Sequence, residues 1–210
     1  MLYHKQKIKS SYKAYCLAEG NQHIASEYAI FKLQEIIENF KIKSILEVGL
    51  GIGAIAGSLL EVNKNLVYTG TEKNEFCLKA LKKNLDKKYG RLNLFCGIND
   101  LNPTDNFDLI IIDGKDRELR QLSRQLSAKG IIAIEGDRHE QQRQLQQVFP
   151  NHLYVHAISR NKNEEYSPFP TDHWQGGLKI IFVNPGFSQK CWWVKEKLIT
   201  KLKYIYRSIS

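Results

Sequence analysis

A glycine-rich turn constrains the fold of this chain more than any other part of its sequence. The turn contains three alternating glycines, Gly49, Gly51 and Gly53, between the apolar run of residues 44–48 and the helix-like run of residues 54–60. Glycine accepts the positive φ angles of a tight turn and lets the backbone approach a ligand closely. A strand, a glycine turn and a helix in this order predict an α/β sheet with a nucleotide-like ligand at the helix N-terminus.

Acidic residues lie near the ends of three predicted strands. Glu47 precedes the first glycine by two residues, a place where a carboxylate would lie poorly beside a pyrophosphate. Glu72 follows the last glycine by about twenty residues, the offset at which an acid reaches a ribose. Asp113 ends a third apolar run. The glycine spacing alone also fits the looser dinucleotide fingerprint, so the acids are what favour one ligand over the other.

These motifs together resemble the class I S-adenosylmethionine-dependent methyltransferases, in which E-x-G-x-G-x-G closes the first strand and an acid closes the second. The resemblance covers residues 25–185. It implies S-adenosylmethionine as the cofactor and a doubly wound α/β fold, with a seven-stranded, mostly parallel sheet and an antiparallel last strand. The residues that it implies for cofactor binding are Glu47, Gly49, Gly51, Gly53, Glu72, Asn99 and Asp113.

Apolar periodicity divides the chain into alternating strands and helices. The predicted strands are residues 44–48, 66–71, 92–96, 107–113, 131–134, 152–159 and 178–184. The predicted helices are residues 25–40, 54–60, 74–88, 117–126, 140–149 and 189–210. The 210 residues suffice for one well-buried domain. We expect an N-terminal arm at residues 1–24, a methyltransferase domain at residues 25–187 and a basic C-terminal helix at residues 188–210.

The residues at the end of the fourth predicted strand indicate the chemical class of the molecule on which the chain acts. Asp113 and Gly114 give it an ending similar to that of the small-molecule O-methyltransferase branch, and the NPPY ending typical of base N-methyltransferases is missing. The implied activity is methyl transfer to an oxygen of a small-molecule or saccharide acceptor. The candidate catalytic residues are Asp113, Glu135 and His173. If the sixth strand is parallel, the long loop of residues 160–177 emerges at the ligand edge. The side chains that this loop can present to an acceptor are Tyr166, His173 and Trp174.

Two other functions stay open at this point. One is a non-catalytic protein that keeps the cofactor fold and docks through its basic C-terminal helix on a membrane or an acidic partner. The other is a nucleic-acid methyltransferase, which the formal charge of +9 favours and the end of the fourth strand does not. The sequence leaves the identity of the acceptor and the oligomeric state open.

A divalent metal is a second cofactor to consider, because the metal-dependent O-methyltransferases bind one at the ends of strands four and five. Asp113, Glu135 and Asp137 offer the hard oxygen ligands that magnesium prefers. The Asp-Asn pair usual in those enzymes reads Glu135-Gly136 here, and Lys115 is one place away from their catalytic lysine. These departures favour the alternative, in which the carboxylates orient the acceptor or cap the next helix.

The last predicted helix carries much of the positive charge, with six basic residues and one acid. Its apolar residues advance by three or four and predict one stripe along the helix: Val194, Leu198, Leu202, Ile205 and Ile209. The stripe requires a cover. The candidates are the protein's own core, which is the commonest, an anionic membrane surface and a second subunit.

The remaining features concern the termini and the cysteines. Residues 1–20 are basic and weakly patterned, so we expect a mobile arm or short helix over the ligand cleft, or else a solvated tail. The four cysteines form no CxxC pair, and no apolar run has the length of a signal peptide core or a membrane span. These features predict a cytoplasmic protein, peripheral to the membrane if its last helix docks there.

Overall fold

The computed structural model of the chain describes residues 2–116 and 118–209. In this part of the chain the strands are β1 (Ser44–Val48), β2 (Val67–Thr71), β3 (Leu92–Phe95), β4 (Phe107–Ile112), β5 (Leu126–Glu135), β6 (Leu153–Ala157) and β7 (Leu178–Phe182). The α-helices are α1 (Leu2–Cys16), α2 (Glu27–Phe40), α3 (Ala54–Val62), α4 (Glu75–Leu85), α5 (His139–Val148) and α6 (Phe187–Ile209). Short 3-10 helices cover Asn21–His23, Asp86–Arg91, Ile98–Asp100 and Leu119–Arg124.

The seven strands form one sheet in the order β3-β2-β1-β4-β5-β7-β6. Neighbouring strands from β3 to β5 pair in parallel, whereas β7 is antiparallel to both β5 and β6. Strand β6 therefore runs parallel to the first five. The predicted α/β fold, with its antiparallel last strand, is confirmed.

Helices cover both faces of the sheet, which explains why the central strands are apolar throughout. In β4, Leu109 and Ile111 belong to one buried cluster, and Ile110 and Ile112 belong to the other. The first cluster also contains buried residues of α1, α2 and α3, and the second contains those of α5 and Leu119–Arg124. This arrangement leaves the carboxyl ends of the parallel strands as the open edge where a ligand can bind.

Side-chain caps fix the starts of two helices beside that edge. The Ser26 hydroxyl accepts a hydrogen bond from the backbone N–H of Ala29 at 3.2 Å, which begins α2. The Asn74 side chain accepts from the N–H of Cys77 at 3.1 Å, which begins α4. Each cap satisfies a backbone donor that the first helical turn leaves without a partner. As a result Ser26 and the segment after β2 lie at the rim of the ligand edge.

The prediction of an α-helix at residues 117–126 is wrong. Residue 117 lies outside the described residues, and from Leu119 to Arg124 the chain forms a 3-10 helix before β5 begins at Leu126. Leu119 and Leu122 are fully buried and lie three residues apart, which suits one short turn with three residues per turn. The observed strand β5 is longer than the strand predicted at residues 131–134. It begins at Leu126, which pairs with Phe107 of β4.

The basic N-terminal segment forms a helix, α1, from residue 2, and residue 1 lies outside the described part. Ile8, Tyr12 and Tyr15 are buried and advance by four and three residues, so they share one face of the helix. This face packs on α3 and α2 against one side of the sheet. The expectation that the segment lies over the cleft is wrong for the helix itself.

The C-terminal helix α6 packs against β6 with its apolar stripe turned outward. The stripe residues are all exposed, and the buried side chains of α6 include Gln189, Glu196 and Thr200. The expectation that the stripe packs on the protein's own core is therefore wrong. Residue 210 lies outside the described residues. No helix in residues 2–116 and 118–209 has the length and apolar character needed to cross a bilayer.

Candidate cofactor and acceptor site

A cleft lies at the carboxyl ends of the central strands, where strand order reverses between β1 and β4. It consists of two neighbouring cavities of about 1110 Å³ and about 590 Å³. Their linings share Gly49, Glu72, Gly114 and Arg138. We call them the larger and the smaller cavity. Ligands of open α/β sheets bind at such a reversal point, so this cleft is the candidate site.

The glycine turn forms the floor of the cleft. Gly49, Gly51 and Gly53 all have positive φ angles, of 87°, 54° and 90°. A Cβ at Gly49 would lie 2.4 Å from the Cα of Gly114, so the turn after β1 and the end of β4 touch through their backbones. A Cβ at Gly51 would meet no atom within 4 Å, because this residue faces the open cleft. The turn thus offers bare backbone to a ligand.

Glu72 connects the glycine turn to the start of α4. One carboxylate oxygen accepts a hydrogen bond from the Gly51 N–H at 2.8 Å, and the other accepts from the N–H groups of Lys73 and Asn74 at 2.9 Å each. The side chain lines both cavities. It is therefore held at the surface of the cleft, and its contact with a ribose stays a prediction.

Glu47 lies beneath the turn, with no part of its side chain exposed. One of its carboxyl oxygens accepts a hydrogen bond from the Tyr68 hydroxyl, and the other, Oε1, has no hydrogen-bond partner among the described residues. Burial raises the pKa of Glu47 to about 8. The carboxyl group therefore holds a proton at neutral pH, and the structure places it under the cleft floor instead of on the cleft surface.

Asn99 lies in the 3-10 helix that follows β3 and lines the larger cavity. The neighbouring Asp100 accepts a hydrogen bond from the Gly97 N–H at 3.0 Å, which closes this short turn. The Asn99 side chain is exposed and can turn toward a ligand. The adenine contact at Asn99 stays a prediction.

Asp113, Glu135 and Arg138 form a half-buried cluster at the ends of β4 and β5. The Arg138 guanidinium donates to the backbone oxygens of both Asp113 and Glu135. It also lies 3.4 Å from the Asp113 carboxylate and 3.7 Å from that of Glu135. Glu135 in turn accepts a hydrogen bond from the Ser26 N–H at 3.4 Å. Two acids and one arginine thus meet in the smaller cavity.

Burial governs the titration of this cluster. Burial, followed by the neighbouring charge of Glu135, raises the pKa of Asp113 well above its usual range, and Arg138 opposes the shift. Burial likewise raises the pKa of Glu135. One guanidinium cannot neutralise two carboxylates, so the pair favours holding one proton between them. A carboxyl pair of this kind can receive a proton from an acceptor hydroxyl.

The same cluster does not fit a divalent metal. In residues 2–116 and 118–209 there is no group of three or more His, Cys, Asp or Glu side chains that could hold one. Arg138 lies against Asp113 and Glu135 on the side where a cation would bind. Asp137, the third candidate ligand, is largely exposed and bonds instead to His139 and Lys179. We therefore derive no step through a metal.

The loop between β6 and β7 reaches the smaller cavity, as a parallel β6 predicts. Phe169, His173 and Trp174 line this cavity, and the His173 ring is exposed. Tyr166 points elsewhere: its hydroxyl donates to Glu27 at 2.7 Å on the α2 side of the sheet. The expectation that Tyr166 faces the acceptor is therefore wrong, while a catalytic role for His173 stays a prediction.

Sequence reasoning missed the part played by Arg138. An arginine beside a strand end has no motif of its own, so the sequence does not distinguish Arg138 from the other polar residues after Glu135. Its position three residues after Glu135 places it one tight turn away, and Gly136 has a positive φ of 71° that brings the chain back. Ser26 and His23, which also line the smaller cavity, carry no sequence signal either.

No family model matches the chain. The chain is 31% identical to a tRNA (guanine-N(7)-)-methyltransferase of Alkaliphilus metalliredigens over an alignment 180 residues long, which covers 79% of this chain and 80% of that protein.

Among solved structures, the fold is similar to that of an O-methyltransferase from Bacillus cereus in complex with SAH. The TM-score is 0.61 at 13% identity, covering 84% of this chain and 90% of that chain. The O-methyltransferase TomG from Streptomyces achromogenes, involved in tomaymycin synthesis and solved with SAM, gives a TM-score of 0.58 at 11% identity, covering 87% and 90%. At these identities the likeness shows a shared fold.

Proposed function

Because this chain belongs to the class I S-adenosylmethionine-dependent methyltransferases, we propose that it transfers a methyl group to a hydroxyl oxygen of a small-molecule or saccharide acceptor. When bound, S-adenosylmethionine supplies an electrophilic methyl group on its sulfonium sulfur. The larger cavity, the open backbone at Gly51 and the carboxylate of Glu72 fit such a cofactor. In this proposal Glu72 accepts hydrogen bonds from the ribose hydroxyls, and Asn99 contacts the base.

The acceptor occupies the smaller cavity in this proposal. Its hydroxyl would lie beside Asp113 and Glu135, and the carboxylate of this pair that is ionised would take the hydroxyl proton while the methyl group passes from sulfur to oxygen and S-adenosylhomocysteine leaves. Because burial raises the pKa of Asp113 most, Asp113 holds the proton that the pair carries at rest, and Glu135 is the carboxylate left to act as the base. Arg138 donates to the backbone oxygens of Asp113 and Glu135 and so holds the ends of the two strands together beside the carboxylates. His173, which also lines the smaller cavity, is the second candidate for the base.

The acidic lining of the cleft is the observation that favours a small-molecule acceptor over a nucleic acid. Of the described charged residues, six acids and three bases line the larger cavity. Glu72, Asp113 and Glu135 line the smaller cavity together with one base, Arg138. The phosphates of a nucleic acid would be repelled there, although the whole chain carries a formal charge of +9. The basic residues therefore lie mostly outside the cleft.

A nucleic-acid acceptor is the second candidate function. The relative of 31% identity is a tRNA methyltransferase, and the net positive charge would attract RNA. In that case the basic surface outside the cleft would hold the phosphates, and one base would enter the smaller cavity. The two candidates differ in the atom that receives the methyl group.

Methyl transfer from S-adenosylmethionine labelled in the methyl group separates the two. The full chain is offered a panel of saccharides and small hydroxylated compounds, and in parallel total tRNA. We expect label in the small molecules, and we expect Asp113→Asn to abolish transfer while leaving the affinity for S-adenosylhomocysteine within a few fold. Asp105→Asn, which removes a carboxylate outside the cleft, is the matched control. Label that enters only tRNA, recovered as a methylated base, would replace the proposal with the second candidate.

A further inference from the structure

The side of α6 that faces away from the protein is apolar along its length. Its residues, which we call the outer face, are Val194, Leu198, Leu202, Ile205 and Ile209. They are between 49% and 79% exposed. Successive steps of three and four place them within one sector of the helix, opposite the buried Glu196 and Thr200. The helix thus presents to solvent the face that a helix of a globular protein normally buries.

Polar contacts on the inner side prevent the helix from rolling this stripe inward. Glu196 is almost fully buried and bonds to Lys32 of α2 at 3.1 Å. The Arg207 guanidinium donates to the Ser159 backbone oxygen at 2.7 Å, and the Trp193 ring N–H donates to the Tyr154 backbone oxygen at 2.8 Å. Breaking a buried ion pair is costly, so the outer face stays outward. A cover for it must come from outside the described chain.

Lysines border the outer face on both sides. The exposed basic residues of α6 are Lys190, Lys195, Lys197 and Lys201. The single acid of the helix, Glu196, is buried in its pair with Lys32, so no acid on α6 offsets these charges at the surface. Lysine stems can lie along an apolar surface while their charges reach outward to anions. Apolar residues bordered by lysines match a surface that has both an apolar interior and anionic headgroups.

We propose that the outer face of α6 docks on an anionic membrane surface. A second copy of the chain is a poorer match, because antiparallel helices packed on this face would bring lysines opposite lysines with no exposed acid between them. A nucleic acid would match the lysines and leave the leucines in water. Helices that lie in the membrane interface combine an apolar face with flanking basic residues, as α6 does.

The C-terminal end of α6 contacts the rim of the smaller cavity through the inner side of the helix. Arg207, near the end of α6, stacks over the Trp174 ring at 4.9 Å and donates to the Gln175 backbone oxygen at 3.2 Å. Trp174 itself lines the smaller cavity. Exposed tyrosines, Tyr204 and Tyr206, lie on the same end of the helix, a residue type that favours the headgroup region. Docking would therefore place the bilayer on the far side of α6 from the rim of the smaller cavity.

Vesicle co-sedimentation of the full chain tests the proposal. Neutral phosphatidylcholine vesicles are compared with vesicles containing about 30 mol% phosphatidylglycerol, at low and at physiological salt. We expect binding to the anionic vesicles, weaker binding as salt rises, and little binding to the neutral ones. Absence of binding to anionic vesicles at low salt overturns the proposal.

Two variants with matched controls separate the apolar from the charged contribution. Leu198→Gln with Leu202→Gln removes two exposed leucines and should lower vesicle affinity about 100-fold. Its control, Leu17→Gln with Val67→Gln, changes two exposed apolar residues elsewhere and should bind as the wild type does.

The charge variant replaces Lys190, Lys195 and Lys201 by Gln and should lower affinity for anionic vesicles about 100-fold at low salt. Its control replaces three exposed or half-exposed lysines of α4: Lys79, Lys82 and Lys83. Equal losses in variant and control would show unspecific attraction and overturn the proposal. A wild-type dimer in sedimentation velocity that the leucine variant abolishes, or tRNA binding that it abolishes, would assign the outer face to a second copy or to RNA instead.

Discussion

The buried carboxyl of Glu47 makes the stability of the protein depend on pH in a way that can be worked out from the structure. Burial raises its pKa in the folded state to about 8, from an ordinary value of 4.5. A carboxyl whose folded pKa is raised binds its proton more tightly in the folded state than in the unfolded one. Stability is then greatest below the unfolded pKa and falls as pH rises toward the folded pKa. As pH rises from 5 to 8, this single group should lower the free energy of unfolding by about 3 kcal/mol.

The substitution Glu47→Gln isolates this effect, because an amide has nearly the same shape and no charge. Its oxygen can still accept the Tyr68 hydroxyl hydrogen bond. We expect the variant to match the wild type within about 1 kcal/mol at pH 5 and to exceed it by about 3 kcal/mol at pH 8, since only the wild type loses stability over this range. The free energy of unfolding is measured by urea denaturation at both values of pH.

The control for this experiment is Glu19→Gln, which removes an exposed carboxylate and should leave the pH dependence of the wild type unchanged. Parallel stability profiles for Glu47→Gln and the wild type would refute the reasoning, because they would mean that Glu47 is ionised in the fold at neutral pH. Titration calorimetry with S-adenosylhomocysteine on the same variant tests the separate prediction that Glu47 takes part in cofactor binding. In that case Glu47→Gln loses affinity although it is at least as stable as the wild type.

Three further outcomes test the cleft. Glu72→Ala should weaken S-adenosylhomocysteine binding at least tenfold in calorimetry, because it removes the carboxylate predicted to hold the ribose. Tight binding of NAD by the wild type, with no response to S-adenosylhomocysteine, would reverse the cofactor assignment. Methyl transfer should survive EDTA, since Arg138 lies where a metal would bind; loss of transfer that magnesium restores would contradict this. Gly49→Ala should lower the free energy of unfolding by about 3 kcal/mol, because its φ is 87° and a Cβ would meet Gly114; Gly90→Ala, with open space around it, is the control and should change little.

The sequence by itself determined the central part of the fold. The strand, glycine turn and helix at the start of the sheet follow from residues that are neighbours in the chain, and the observed β1 has the predicted bounds. Glu72, Asp113 and Glu135 lie at the open edge because the carboxyl ends of parallel strands meet there, so a strand prediction also predicts the place of its last residue. Short-range periodicity and topology are enough for these features.

Only the tertiary structure decided which side chains face the cleft and which face of α6 is covered. Glu47 is buried against Tyr68, and Arg138 lies beside Asp113 and Glu135. Both positions depend on residues that are distant in the chain. The periodicity of α6 correctly predicts a stripe, but a stripe does not specify its cover. The pairing of Glu196 with Lys32, 164 residues earlier, fixes the polar side inward. Contacts between distant residues have no local pattern, and this is the physical reason that the sequence gives the helix and the structure gives its orientation.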